Sequence, residues 1–315
     1  MIKFGHDRLT LDAEYCYNYC IRWQGYILAS HGGVTMTRIS LDAIVTKVDE
    51  LPSLPQIVVR VMELTEDPDS TVFDVNEVLN QDQAMTAQVL RMANSVYYGY
   101  SRRIASVADA IILIGFNAVR SIVLAASVSK ILKRELSGYV MGEGELWKHS
   151  QCAAIFARLL AKRIKFRSVE MAYTATLLHD IGKLVLNSYL SDEYQHVITV
   201  VNEEKSPFDE VEELIIGFNH AVVGGKVAEK WNLPNELVEA ITCHHHPLQA
   251  IINPQLTAIV HIADAVTMQM GMGLGIDGLL YPLSTEAMDL LGIGGDDLEM
   301  LMAEIVDLFI DKDVF

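Results

Sequence analysis

From Ile39 onward the apolar residues of this chain return every three or four positions, and nowhere do they alternate in twos beside a hairpin turn. That period builds helices, because residues three and four apart share one helical face. SLPQIVVRVMELTED sets Ile57, Val58, Val61, Met62 and Leu64 on one stripe, with Ser53 as the expected cap and Pro55 tolerable in the first turn. DPDSTVFDVNEVLNQDQAMTAQVLRMANS reads as two shorter helices, the second from about Gln83 to Ala93. SVADAIILIGFNAVRSIVLAASVSKILKREL gives two more, broken near Gly115 and capped by Asn117. The expected fold class is all-α.

A glycine-rich stretch, SGYVMGEGE at 137–145, divides a lobe over 36–140 from a second helical lobe over 145–315. Between its helices the second lobe has a looser segment at 191–209. Its acidic tail ends in an amphipathic helix striped by Leu298, Leu301, Met302, Ile305 and Leu308. Residues 1–35 lack this patterning, so Met36 is a candidate native start and the preceding segment a leader. Cys16, Cys20, Cys152 and Cys243 form no CxxC pair and are expected to be reduced thiols.

Composition narrows the partners. A formal charge of -17 opposes phosphate backbones and anionic lipid surfaces, so direct nucleic-acid binding is not expected. With no apolar run near the roughly 20 residues of a membrane span, and no basic-then-apolar start, the chain reads as cytoplasmic.

The chemistry concentrates where polar residues interrupt apolar faces. His149 shares a helical face with Ala153, Phe156 and Leu160; His220 aligns with Val223, Gly224, Val227 and Trp231; His245 continues the stripe of Leu237 and Ile241. Asp264 falls between Val260 and Met268, a costly burial for a carboxylate unless something cationic meets it. In TATLLHDIGKLVL, His179 and Asp180 project about 100° apart if helical, with Lys183 one turn beyond. A lone buried histidine is ordinarily a hydrogen-bonded core residue. Several imidazoles and carboxylates on facing helices are how bundles hold mononuclear or dinuclear metal sites.

The order His149, His179-Asp180, Asp264 resembles the H...HD...D signature of the HD superfamily of metal-dependent phosphohydrolases. PSLPQIVVRVMEL, QDQAMTAQVLRMANSVYYG, LLHDIGKLVL and NHAVVGGKVAEKWNLPNELVEAITCHHHP are similar to the HDOD (HD-related output domain) family over about 39–271. That resemblance implies an all-helical, two-lobed fold with an HD-like C-terminal lobe. It also implies a bacterial signalling role and no settled catalysis. It assigns His149, His179, Asp180 and Asp264 as core ligands. His220, His244 and His245 match extra ligands of the dinuclear HD-GYP relatives, and Asp180 and Lys183 are the catalytic candidates. The expected cofactor is one or two divalent ions: iron, manganese, zinc or nickel. LQAIINPQL follows CHHHP with no GYP triplet, which counts against cyclic di-GMP cleavage.

Two functions follow: a regulatory module answering to a protein partner or a small-molecule signal, or a metal-dependent phosphohydrolase acting on a nucleotide or other phosphoester. GMGLGIDG fits GxGxxG but follows a helix instead of a strand, and reads as a flexible loop. ANSVYYGYSRR reads as a helix end with packed tyrosines. His246 and His261 are read as peripheral, and His196 has no role.

Overall fold

The computed structural model describes residues 53–95, 103–189, 191–273 and 281–310, with 44, 98 and 275. The leader segment, with Cys16 and Cys20, lies outside the described residues, as do parts of ANSVYYGYSRR and GMGLGIDG. Every extended regular element among the described residues is a helix, and the β-pairing there is a single bridge between Leu136 and Met141. No described helix is long and apolar enough to cross a membrane.

The N-terminal half comprises α1 (Gln56–Glu66), α2 (Val72–Asn80), α3 (Gln83–Ala93), α4 (Val107–Ile114) and α5 (Phe116–Leu132). Their stripes close on one core in which Val58, Val61, Val75, Leu79 and Val89 are fully or almost fully buried. Thr71 and Asp74 form a capping box on α2, and Asp82 caps α3 through the Met85 N–H. Two expected caps are corrected. Pro55, not Ser53, precedes the first turn of α1 and caps it with no side-chain bond. Asn117 lies inside α5, while Gly115, at φ +85°, makes the break from α4.

A connector carrying a 3-10 turn, Ser137–Tyr139, leads into α6 (Glu145–Arg163), α7 (Val169–Leu178), α8 (Gly182–Tyr189), α9 (Ser191–Glu204), α10 (Phe208–Ile216), α11 (His220–Lys230), α12 (Asn235–Thr242) and α13 (Pro254–Gln269). The looser segment at 191–209 is thus largely helix α9. Helices α14 (Thr285–Leu291) and α15 (Gly295–Ile310) finish the chain. Leu298, Leu301 and Ile305 of α15 are buried, and Asp297 pairs with Arg163 of α6. The halves join where α5 meets α7, the Ser121 and Thr174 hydroxyls lying 2.9 Å apart. Near them Arg158 of α6 stacks on Tyr173, pairs with Glu170 and donates to the Tyr98 hydroxyl oxygen at 3.3 Å.

Candidate metal centre

Helix geometry alone does not assemble the site; helix ends do. His149 sits inside α6 and Asp264 inside α13, but His179 and Asp180 occupy the break between α7 and α8. Sequence periodicity placed that pair within one helix; the structure corrects this, ending α7 at Leu178. Gly182 explains the break's shape, since a Cβ there would lie 2.0 Å from the His220 carbonyl oxygen and 2.6 Å from Gly224 N. The missing side chain lets α8 press against α11. His220 is the first residue of α11, whose Asn219 cap accepts the Val222 N–H at 3.1 Å. His244 and His245 likewise lie beyond α12, which ends at Thr242, so His245 does not continue the Leu237 stripe.

All eight candidates converge. His149, His179 and His244 are 0% exposed, and Asp180, Lys183, His220 and Asp264 1%; His245 alone of the eight is half-buried. His149 Nε2 lies 2.9 Å from Asp264 Oδ1 and 3.4 Å from His179 Nε2. Asp180 stands between two groups: Oδ2 is 3.3 Å from His179 Nε2, and Oδ1 is 3.3 Å from His220 Nε2 and 4.0 Å from His244 Nε2. His220 and His245 bring their Nε2 atoms to 2.8 Å.

The opposite ring nitrogens are tied back to the protein. Nδ1 of His149 faces the Met272 carbonyl (3.2 Å), that of His179 the Thr176 carbonyl (2.6 Å), and that of His244 the Ile241 carbonyl (2.7 Å). Nδ1 of His220 faces Glu212 Oε2 at 2.7 Å. Each partner only accepts, so each Nδ1 carries a proton and each Nε2 is left as a donor atom toward the carboxylates. A bare Nε2 beside an ionised Asp264 or Asp180 needs a positive charge between them. A cation would supply it: ligand atoms bound at about 2.0–2.2 Å in a tetrahedral set stand about 3.3–3.6 Å apart, and His179 Nε2 lies 3.3 Å from Asp180 Oδ2 and 3.4 Å from Asp264 Oδ1. Asp180 Oδ1 and His244 Nε2 are moreover buried without a hydrogen-bond partner. The donor set fits one or two divalent ions.

Electrostatics agree. Burial opposes charge on Asp180 and Asp264, yet the surrounding His179, Lys183 and His149 hold both carboxyls well below the usual range. His179 is raised against the effect of burial by Asp180 and Asp264, and His220 is raised to about 10, mainly by Glu212. Without a bound ion the charge beside the carboxylates falls to protons on these two imidazoles, which a cation would displace to leave Nε2 bare. Burial and the neighbouring imidazoles push His244 and His245 well below their ordinary value, leaving them neutral. Lys183 holds a carboxylate of the cluster, its Nζ lying 2.6 Å from Asp180 Oδ2.

Several contributors have no metal-ligand pattern in the sequence. Glu212 is 0% exposed on α10, and Tyr139 and Tyr194 donate their hydroxyls to it. Its place beside Phe208 and Val211 on an apolar stripe is the signal that singled out Asp264, and it was readable. Tyr281 lies 3.1 Å from His261 Nδ1 and packs on the His245 ring. His261, read as peripheral, accepts the Ser284 N–H on Nε2 and donates Nδ1–H to the His244 carbonyl at 2.8 Å, bracing the histidine turn. The segment read as a flexible loop also contributes: beyond the Met272 carbonyl, Gly273, at φ +65°, lies so close to α6 that a Cβ would sit 2.4 Å from Glu145 O. His246 is exposed, 3.6 Å from Asp209.

Known proteins share this helical fold. An HDOD protein of unknown function from Geobacter sulfurreducens is 29% identical and superposes with a TM-score of 0.67, covering 86% of this chain and 96% of its own. A candidate phosphohydrolase from Shewanella amazonensis SB2B is 26% identical with a TM-score of 0.63, covering 84% and 93%. An uncharacterised protein of Treponema pallidum (strain Nichols) is 23% identical over 213 residues, 67% of this chain, and the chain spans 41% of that relative's length. The HDOD domain family model matches residues 51–247. A match over well more than half of the sequence, on a helical fold shared with an HDOD structure, makes this chain a member of the HDOD family.

Proposed function

We infer that the protein is a regulatory signalling module in which His149, His179, Asp180, Asp264, His220, His244 and His245 hold one or two divalent cations as an internal brace. Its output is then binding of a protein partner or a small-molecule signal, in the cytoplasm, instead of turnover. The enclosure of the cluster carries this reading: six of the seven ligand candidates are at most 1% exposed, and Lys183 already occupies Asp180 Oδ2. His245 is the half-buried member of the set.

The second reading is a metal-dependent phosphohydrolase acting on a nucleotide or other phosphoester. The complete donor set favours it, and so does likeness to a structure described as a candidate phosphohydrolase. A divalent ion would supply Lewis acidity toward a phosphoryl oxygen. The chain's own part would be to orient that ion through Asp180 and to balance charge with Lys183.

Elemental analysis of the purified, tag-free chain beside a His179→Ala/Asp180→Ala variant tests both readings. One or two equivalents of iron, manganese, zinc or nickel in the parent and none in the variant is the expected result. Metal in neither, even after reconstitution, refutes both. Metal-dependent phosphate or nucleotide release across a phosphoester panel, abolished in the variant, would replace the first reading with the second.

A further inference from the structure

The connector between the halves reaches into the cation cluster. Tyr139 closes the 3-10 turn of that connector and is fully buried. Its hydroxyl donates to Glu212 Oε1, beside that of Tyr194, while Glu212 Oε2 accepts both the His220 backbone N–H and His220 Nδ1–H, each at 2.7 Å. The Tyr139 ring also stands 5.6 Å from Lys183 Nζ, the ammonium held on Asp180. One side chain thus touches the supports of two candidate ligands, His220 and Asp180.

The connector is a built element. Leu136 and Met141 exchange backbone hydrogen bonds of 2.9 and 3.0 Å, the Gly138 N–H donates to Asn187 Oδ1 at 2.8 Å, and the Gly144 N–H returns to the Lys133 carbonyl beyond α5 at 2.9 Å. Gly138 lies against the Tyr194 ring, where a Cβ would be 3.0 Å away. Displacing the connector therefore withdraws Tyr139 from Glu212, and Glu212 in turn fixes the orientation and basicity of His220.

We propose that Tyr139, Tyr194 and Glu212 are positioning residues of the cation centre, acting through His220, and that they link cation occupancy to the set of the connector between the two halves. The inference rests on the reading that the cluster binds a cation. Linkage makes the coupling reciprocal: a connector position that tightens cation binding is favoured by the cation to the same factor. Hydrogen-bond partners behind metal-ligating histidines typically change metal affinity by about 10–100-fold.

The test is titration of the chelator-stripped full chain with Mn2+ and with Zn2+ by calorimetry, paired with hydrogen exchange of residues 136–144 with and without ion. Tyr139→Phe keeps the ring and its packing on Tyr194 and Phe208; Glu212→Gln keeps the shape. Both variants are expected to weaken the tighter-binding ion about 10-fold or more, with helical circular dichroism unchanged. Ion binding should slow connector exchange in the parent and not in Tyr139→Phe. Tyr98→Phe, whose hydroxyl meets Arg158 far along α6, should leave affinity unaltered. Parent-like affinity and parent-like ion-dependent protection in Tyr139→Phe would overturn the proposal while leaving the cation reading intact. Absence of binding by the parent itself would remove the cation reading and this proposal with it.

Discussion

Helices α1 to α5 and helices α6 to α13 share one period and one contiguous apolar core, yet they fill it differently. Among the described residues of α1 to α5, Ser121 is the one polar side chain classed with the core; α6 to α13 bury His149, His179, Asp180, Lys183, Glu212, His220, His244 and Asp264. The first half is held by packing, which is insensitive to pH and to ions. The second encloses charge whose desolvation is offset by mutual pairing and, on the reading above, by a cation. The same helical architecture therefore carries two kinds of interior: an apolar one in the first half and, in the second, an apolar one that encloses an electrostatic cluster.

The largest expected effect breaks the charge balance. Asp180→Ala removes the carboxylate 2.6 Å from the buried Lys183 ammonium, and removing one member of a buried pair typically costs about 3–5 kcal/mol. Urea unfolding followed by circular dichroism measures it, and a loss below about 1 kcal/mol would show that water relaxes into the site. Leu79→Ala, in the fully packed N-terminal core, is expected to cost about 2–5 kcal/mol through transfer and cavity effects. The comparison sharpens when both are repeated with chelator. Leu79→Ala should lose the same increment either way, whereas the Asp180→Ala increment should shrink once chelator has stripped the parent. Equal chelator response in both would dissolve the distinction between the halves.

The N-terminal half was the more legible in sequence. The period placed α3 at about Gln83–Ala93, because Met85, Val89 and Ala93 recur every four residues and all three are buried. In the C-terminal half the residue types of the site were legible while their placement was not. Periodicity extends a helix through any apolar run, so it carried α7 through His179 and α12 through His245, where backbone breaks supply the geometry. What sets those breaks is tertiary: the close approach of Gly182 to α11, and carbonyls of the preceding turn turning back to receive Nδ1 of His179 and His244. Tyr139 and Tyr194 were illegible for the same reason, since no local pattern says that a connector tyrosine and a residue of α9 will share one carboxylate.

Gly182→Ala probes that tertiary origin. The added methyl meets the His220 carbonyl and Gly224, and overpacking of this kind costs about 1–3 kcal/mol. Denaturation should report that loss together with reduced metal content, because separating α8 from α11 moves Asp180 away from His220. Undiminished metal with full stability would mean that the break does not depend on the close approach.

The smallest effect concerns pH at the edge of the cluster. Asp209 on α10 is 5% exposed, and burial, opposed by His246 and His220, raises its pKa above the ordinary carboxylate value. A carboxyl whose folded pKa exceeds its unfolded one binds its proton more tightly when folded. Its stability contribution is therefore complete below the unfolded value and is lost as pH rises through the folded value. At neutral pH the ionised Asp209 is a cost, so Asp209→Asn should stabilise the fold there, by under about 1 kcal/mol. It should also flatten the part of the stability–pH curve lying just above the ordinary carboxylate pKa. Thermal melts across pH 4 to 8 read both at once, with Leu79→Ala as the reference whose increment does not vary with pH. Destabilisation at neutral pH by Asp209→Asn would instead assign the His246 contact, 3.6 Å away, the larger share, turning a tolerated burial into a supporting ion pair.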